Sequence, residues 1–566
     1  MNKKYLIKDR KSKNLRILLF LILFFGFCKT NIAQTEYVLS DNSVYSFLER
    51  MESLQLLERY NSLEIPKTRG DIGNYLKQLI PTIDELDRSD KKLLVDYIVE
   101  FENEVHGTVK HSIKLIDGDN FDFLSDEQKY LYFITDKEKN ISLFFNSTGQ
   151  IQNILDRNSI TSISNSASIL QLQFQIRGSF FDKFGFFYRG GNGTVFGERA
   201  ATRSRQDLNY NFKYSNFGTF DITTAGYLTA DFDYVKFKFG RDRINIGYGP
   251  EKIVLGNNAP IFDNLSLRMH YKSVEVSYFH GKLLGQTTTA FDSIQGEIKT
   301  ITDKYIGYHR IGFNFSDDFN IGAGEIIIYG DRGIDLNYVN PFILYKTAQN
   351  NNKDRDNSMV IIDINNKSIK GLKFYSTILM DDIELSKIGS PYWGNQFIIS
   401  AGFVSNLLYK KIPLDIQFQY VRIDPYVYTN RIRKNKFTND EFGLASFMEP
   451  NSELFLTQLN YRFTNRLLLT GMFTYYIHGA NLLNPDGSVK ENVGGDILVG
   501  HRQNDNFDAK FLAGDREYTR KFSLSMSYEP FNNYFIKGFV SYSNQSLQNF
   551  VHNKILEAYL IILFLL

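Results

Sequence analysis

The sequence predicts a mainly β fold: a transmembrane antiparallel β-barrel of about 18 strands, preceded by a small helical periplasmic region. Three observations lead there. Long segments alternate apolar and polar residues with a period of two. The N-terminus carries an export-type leader, and no helical span of roughly 20 apolar residues follows it. The composition, with 49 Phe, 35 Tyr, 40 Gly and only 11 Pro in 566 residues, suits a chain of many strands.

Taken in order, Lys3, Lys4, Lys8, Arg10, Lys11, Lys13 and Arg16 form a basic head, and Ile17 to Cys28 is apolar apart from Gly26. That length suits a signal-peptide core and is short for a membrane span. Residues 1–33 are expected to be a signal peptide, cleaved between Ala33 and Gln34. Cys28 is the only cysteine, so the exported chain is expected to lack disulfides and thiolate chemistry. Phe27 precedes it where a lipoprotein signal wants a small residue. The leader holds eight basic residues and one acidic one, so its loss takes the formal charge from +2 to −5. Neither balance suggests a nucleic-acid partner, which selects for basic excess.

Residues 37–110 are expected to be helical. Val44, Phe47, Leu48, Met51 and Leu54 repeat at helical spacing after Asp41 or Asn42. Ile72, Tyr75, Leu76, Leu79 and Ile80 form a second stripe, stopped by Pro81. Leu94, Tyr97, Ile98 and Phe101 form a third, started by Ser89 or Asp90.

From 111 to 566 the expectation is barrel. Leu170, Leu172, Phe174 and Ile176 alternate with Gln171, Gln173, Gln175 and Arg177; Phe522, Leu524, Met526 and Tyr528 alternate with three serines and Glu529. Such strands put one row in an apolar medium and the other in a polar one. Runs of about ten residues, a polar row rich in Gln, Arg and Lys, and aromatics at strand ends favour a membrane barrel with a wet lumen over a soluble sandwich. The run Asn350 to Asn357 is expected to be solvated, and Asn484-Pro485-Asp486-Gly487 to be a turn. The chain ends YLIILFLL, apolar on both faces, where a closing strand normally alternates; this puts barrel closure in question.

Catalytic and metal motifs are absent, and no cofactor is expected. Asp117, Asp119 and Asp122 lack the Gly and the closing Glu of a calcium loop and read as a turn. His270, His280 and His309 lack ligand spacing and read as surface or lumen histidines. Asp381, Asp382 and Glu384 could supply an acid pair, though a solvated strand end explains them.

One stretch is richer than strands require: GRDRINIGYGPEKIVLGNNAPIFDNLSLR from Gly240. Arg241, Asp242 and Arg243 bring charges together, and are expected to face water in the lumen or at the periplasmic rim, at a strand end. Asn257, Asn258 and Pro260 suggest a loop that folds back. With the later Asn340-Pro341-Phe342 and the acidic DDI segment ending at Ile383, this block resembles the capsule-assembly Wzi family of outer-membrane proteins over roughly residues 165 to 480. The resemblance implies an 18-stranded barrel with periplasmic helices. It also implies a lectin-like role, holding exported capsular polysaccharide at the cell surface.

Sugars offer hydroxyls and apolar C–H faces, so a binding loop needs planar aromatic and hydrogen-bonding groups. Tyr426, Tyr428, Arg431 and Arg433, with Asn430, follow Pro425 and are the candidates. The alternative reading is a diffusion porin with Arg241, Asp242 and Arg243 at its constriction. A hydrolase using Asp381 and Asp382 lacks a nucleophile–base pair. The expected setting is the outer membrane of a Gram-negative-type envelope. The expected partners are capsular or surface polysaccharide, outer-membrane lipid and the barrel-assembly machinery.

Overall fold

The computed structural model describes residues 34–116, 125–136, 138–159, 163–198, 200–203, 212–214, 219–353, 355–546 and 552–566. The leader, with Cys28, and the Asp117–Asp122 turn lie outside them.

The N-terminal stripes form helices α1 (Val44–Ser53), α2 (Arg69–Leu79), α3 (Arg88–Glu100) and α4 (Glu102–His106). Asn42 Oδ1 accepts from the Val44 amide at 2.9 Å, and Thr68 caps α2 by accepting from the Asp71 amide at 3.1 Å. The start of α3 lies earlier than Ser89: Asp87 accepts from the Ser89 and Asp90 amides. Its carboxylate satisfies two donors that the first turn leaves open. Val44, Phe47, Leu48 and Met51 bury against Ile72, Leu76, Leu94, Tyr97 and Phe101 in one small core.

Eighteen antiparallel strands then close a barrel, from Ile141–Asn158 to His552–Leu565. Two short strands, Tyr132–Asp136 and Phe212–Tyr214, add to its edges. Closure does occur. The final strand pairs with Tyr534–Ser546 on one side and with Ile141–Asn158 on the other, from Ile555↔Asn158 to Leu565↔Thr148. On its inward face Tyr559 packs against the buried cluster of Ile154, Ala167, Ile169 and Val195, and stacks on Phe539 at 4.7 Å.

The alternating rows divide as a membrane barrel requires. Leu170, Leu172 and Phe174 are exposed on the outside while Gln171 is buried within. Phe522, Leu524, Met526 and Tyr528 form the same kind of outer row. Tight turns such as Tyr271 to Val274 and Ser316 to Phe319 join strands at one end; long loops, among them 243–261, 424–451 and 481–514, join them at the other.

The lumen differs from the wet channel expected from alternation. Residues 243–261 fold inward, and Ile244, Ile246, Ile253, Val254 and Leu255 bury with Phe279, Ile306, Tyr308, Ile326 and Met359 in one cluster. The chain is tight enough there to require glycine: Gly249 has φ +72, and a Cβ on it would lie 2.6 Å from Gln419 Oε1. From the short-turn end, Glu64–Ile65 reaches in and pairs with Asn245–Ile246.

Ion pairs and hydrogen bonds bind the helical region to the barrel. Lys373 Nζ contacts Glu52 at 2.7 Å and Glu49 at 3.0 Å. Arg177 meets Glu36 at 2.9 Å, and Arg50 pairs with Asp415 and Asp90. Arg310 holds Asp363 through two bonds of 2.7 and 2.8 Å, and Asp363 also accepts from the Tyr248 hydroxyl, which donates to Asn61 as well. This last junction joins wall, inward loop and helical region.

Candidate functional site

The loop end carries an open hollow of about 570 Å³, lined by Lys490, Glu491, Asn492, Arg502, Gln503, Asn504, Asp505 and Asn506. Asp505 organises it. It accepts from Arg502 Nε at 2.9 Å and from Asn492 Nδ2 at 2.6 Å. Burial alone pushes the Asp505 carboxyl up, but the hydrogen bonds from Arg502 and Asn492 more than offset this and hold it below the usual carboxylate range. Lys490, Arg502, Gln503, Asn504 and Asn506 provide donors around it.

An aromatic ledge adjoins the hollow. Trp393 stacks on His501 with centroids 4.0 Å apart and 12° between planes. Exposed Phe507 lies 5.9 Å from His501, and its carbonyl accepts from the Trp393 amide at 3.0 Å. Planar polar groups beside aromatic faces can take up hydroxyls and C–H surfaces together.

Two residues expected to bind a polymer do something else. Tyr426 and Tyr428 are each 1% exposed. Both have φ +65, so the coil around Val427 packs their rings into the protein. Tyr426 donates its hydroxyl to the Asn492 carbonyl at 2.8 Å and lies edge-on to Trp393, so it supports the hollow from beneath. Tyr428 donates to the Ile253 carbonyl, stacks on Phe437 at 5.1 Å, and its amide donates to Asp381. It clamps the inward loop. Arg431 is exposed next to Asn430, and Arg433 opens the short turn Arg433–Asn435.

The charged triplet is divided. Asp242 points inward to Lys238 at 3.3 Å. Arg241 points outward, away from the lumen, and pairs bidentately with Asp263 at 2.8 Å. Arg243 donates to the Ala259 carbonyl at 3.2 Å. The strand ends at Asp242, toward the loops rather than at the short-turn rim. Period two separates neighbours, and Arg241 is paired by Asp263 on the outer face.

Asp381 and Asp382 also face apart. Asp381 is buried, while Asp382 is exposed and lies 3.6 Å from Lys346. They cannot act as one acid pair. His280 and His309 lie on the barrel's outer face beneath residues 331–353, bonded to Tyr329 and Glu325. Part of the polar run after Asn350 is enclosed too: Asp356 and Asn357 are buried, with Asp356 held by Arg332 at 2.7 Å. Among the described residues, no His, Cys, Asp or Glu cluster could hold a metal. Also among them, no helix is long and apolar enough to cross a membrane.

The hollow drew no notice in the sequence because its residues are an irregular polar loop. Only the single Trp marked the ledge, and Trp393 lies about a hundred residues away from its partner His501.

A closed barrel with an apolar outer row, an occupied lumen and a polar hollow among its loops defines an outer-membrane β-barrel. The capsule assembly protein Wzi profile matches residues 177–555. The chain belongs to that family. Among solved structures, it is similar to Escherichia coli Wzi, described as an outer-membrane protein of group 1 capsule assembly and a carbohydrate-binding barrel. The identity is 12% and the TM-score 0.55, covering 93% of this chain and 99% of that one, a likeness of fold. More distant are a BenF-like porin of Pseudomonas fluorescens (10% identity, TM-score 0.46, covering 75% and 98%) and Acinetobacter baumannii OccAB4 (8%, 0.43, 75% and 98%). No curated protein matches the chain.

Proposed function

We propose that the chain holds exported capsular polysaccharide at the cell surface through its loop-end hollow. The observation that carries this is the polar basin around Asp505 beside the Trp393–His501 ledge. Family membership in capsule assembly supports it, as does the description of the Escherichia coli barrel as carbohydrate-binding. The role is binding, not catalysis. Residues 1–33 direct export, outer-membrane lipid surrounds the barrel, and the barrel-assembly machinery inserts it. The porin reading is disfavoured because the helical region and residues 243–261 occupy the lumen.

A polymer is held by many weak contacts, so single changes should do little. Arg502→Ala, Asn504→Ala and Asn506→Ala combined remove about three hydrogen bonds of ~1 kcal/mol each, roughly 100-fold in affinity. The expected result is capsule released into the medium while heat-modifiable gel mobility shows a folded barrel. Full retention by a folded triple variant would exclude the hollow. Arg431→Ala is expected to weaken retention only slightly. Deleting Tyr426 to Arg433 is not a clean test, because it removes two buried tyrosines.

A further inference from the structure

The outer surface of the barrel changes character partway along three neighbouring strands. On the strand Gly296–Ser316 the outward row runs Phe315, Phe313 and Ile311, which are 70%, 48% and 42% exposed. The same row continues into His309 and Tyr305, at 8% and 6%. On the neighbouring strand Phe319–Gly330, outward Glu325 is 7% exposed and outward Ile327 and Tyr329 are fully buried.

The cover is the chain from Asp331 to Lys353, with its short helices Leu336–Val339 and Tyr345–Asn351. It lies on the outside of the barrel wall. Tyr278 donates to the Val339 carbonyl at 2.7 Å. His309 stacks on Tyr345 at 4.3 Å and bonds Glu325 at 3.1 Å. Glu325 also accepts from the Tyr345 and Lys346 amides. A carboxylate–imidazole pair on the lipid side of a barrel would be costly bare, and this segment encloses it.

The segment is apolar on its other side as well. Ile334, Leu336, Phe342 and Leu344 are 57%, 80%, 70% and 62% exposed. The adjacent loop, tied on through Lys346 and Asp382, adds Leu385 at 74% and Ile388 at 60%. Four large apolar side chains within eleven residues make a patch that a water-facing loop does not need. The patch continues the row that faces lipid on the strands beneath it.

We infer that residues 334–344 lie in the outer leaflet, strapped to the barrel wall, with Leu336, Phe342 and Leu344 against lipid acyl chains. The occupant is lipid because the exposed side chains of the patch are mainly apolar, its one acid, Asp335, is paired with Arg332, and the patch is continuous with the lipid-facing row. Its four exposed apolar residues are then solvated by hydrocarbon rather than water.

The test uses the single Trp. In a Trp393→Phe background, Trp is placed singly at Phe342 or Leu336. The folded full chain, checked by heat-modifiable mobility, is put into phospholipid vesicles with or without bromine on the acyl chains. Phe313→Trp reports the lipid-facing wall, and Phe507→Trp reports an exposed outer loop. Bromolipid quenching at Phe342→Trp and Leu336→Trp of at least half that at Phe313→Trp is expected. Quenching below that level at both positions would overturn the inference, as would aqueous iodide quenching equal to that of Phe507→Trp. Where one variant fails to fold, the other decides.

Discussion

Lys373→Met is expected to weaken the attachment of the helical region by about 3–5 kcal/mol. Lys373 is fully buried and sits between Glu49 and Glu52, with Glu52 also fully buried. The lysine carries no exposed charge whose loss water could repair. Removing it leaves two carboxylates in an enclosed interface between α1 and the strand Leu372–Asp382. Burial of an unpaired charge is what makes the loss large; the pair itself contributes much less. Glu52→Gln added to Lys373→Met should therefore recover most of the loss, since the amide oxygen can still accept from Asn365. Protease sensitivity of residues 34–106 in the folded barrel measures the attachment. Equal sensitivity in Lys373→Met and the parent chain would count against a locked helical region.

Asp363→Ala is expected to cost a similar ~3–5 kcal/mol, and to act in the wall and the inward loop together. Arg310 loses both of its short bonds, and its remaining partners are Asn320 at 2.9 Å and Glu275 at 3.9 Å. Tyr248 loses one acceptor and keeps Asn61. The temperature at which the heat-modifiable folded band disappears should fall, and residues 243–261 should become easier to cleave. A fall in band stability without loop exposure would show that Asp363 serves the wall alone.

Much of the barrel was legible because lipid writes a simple pattern. Leu170, Leu172 and Phe174 alternate with glutamines, and these leucines and Phe174 are the exposed outer row. The helices were legible from their stripes, with α3 starting at Arg88 because the Asp87 carboxylate caps the Ser89 and Asp90 amides. The contents of the lumen were not legible. Ile253, Val254 and Leu255 show no period, since an inward loop packs in three dimensions without a repeating geometry. The burial of two candidate residues was not legible for a related reason. Tyr426 and Tyr428 have the chemistry a sugar wants, but a left-handed backbone at both positions puts their rings inside. The hollow is lined by residues 490–506, beside a tryptophan from another loop.

That tryptophan reports directly on whether the hollow binds polysaccharide. Capsular polysaccharide is titrated into the folded, detergent-solubilised chain while the emission of Trp393, the only Trp, is followed. A saturable change that disappears in the Arg502, Asn504 and Asn506 triple alanine variant is the predicted result. A titration identical in the parent and in the folded triple variant would show that the hollow does not hold the polysaccharide.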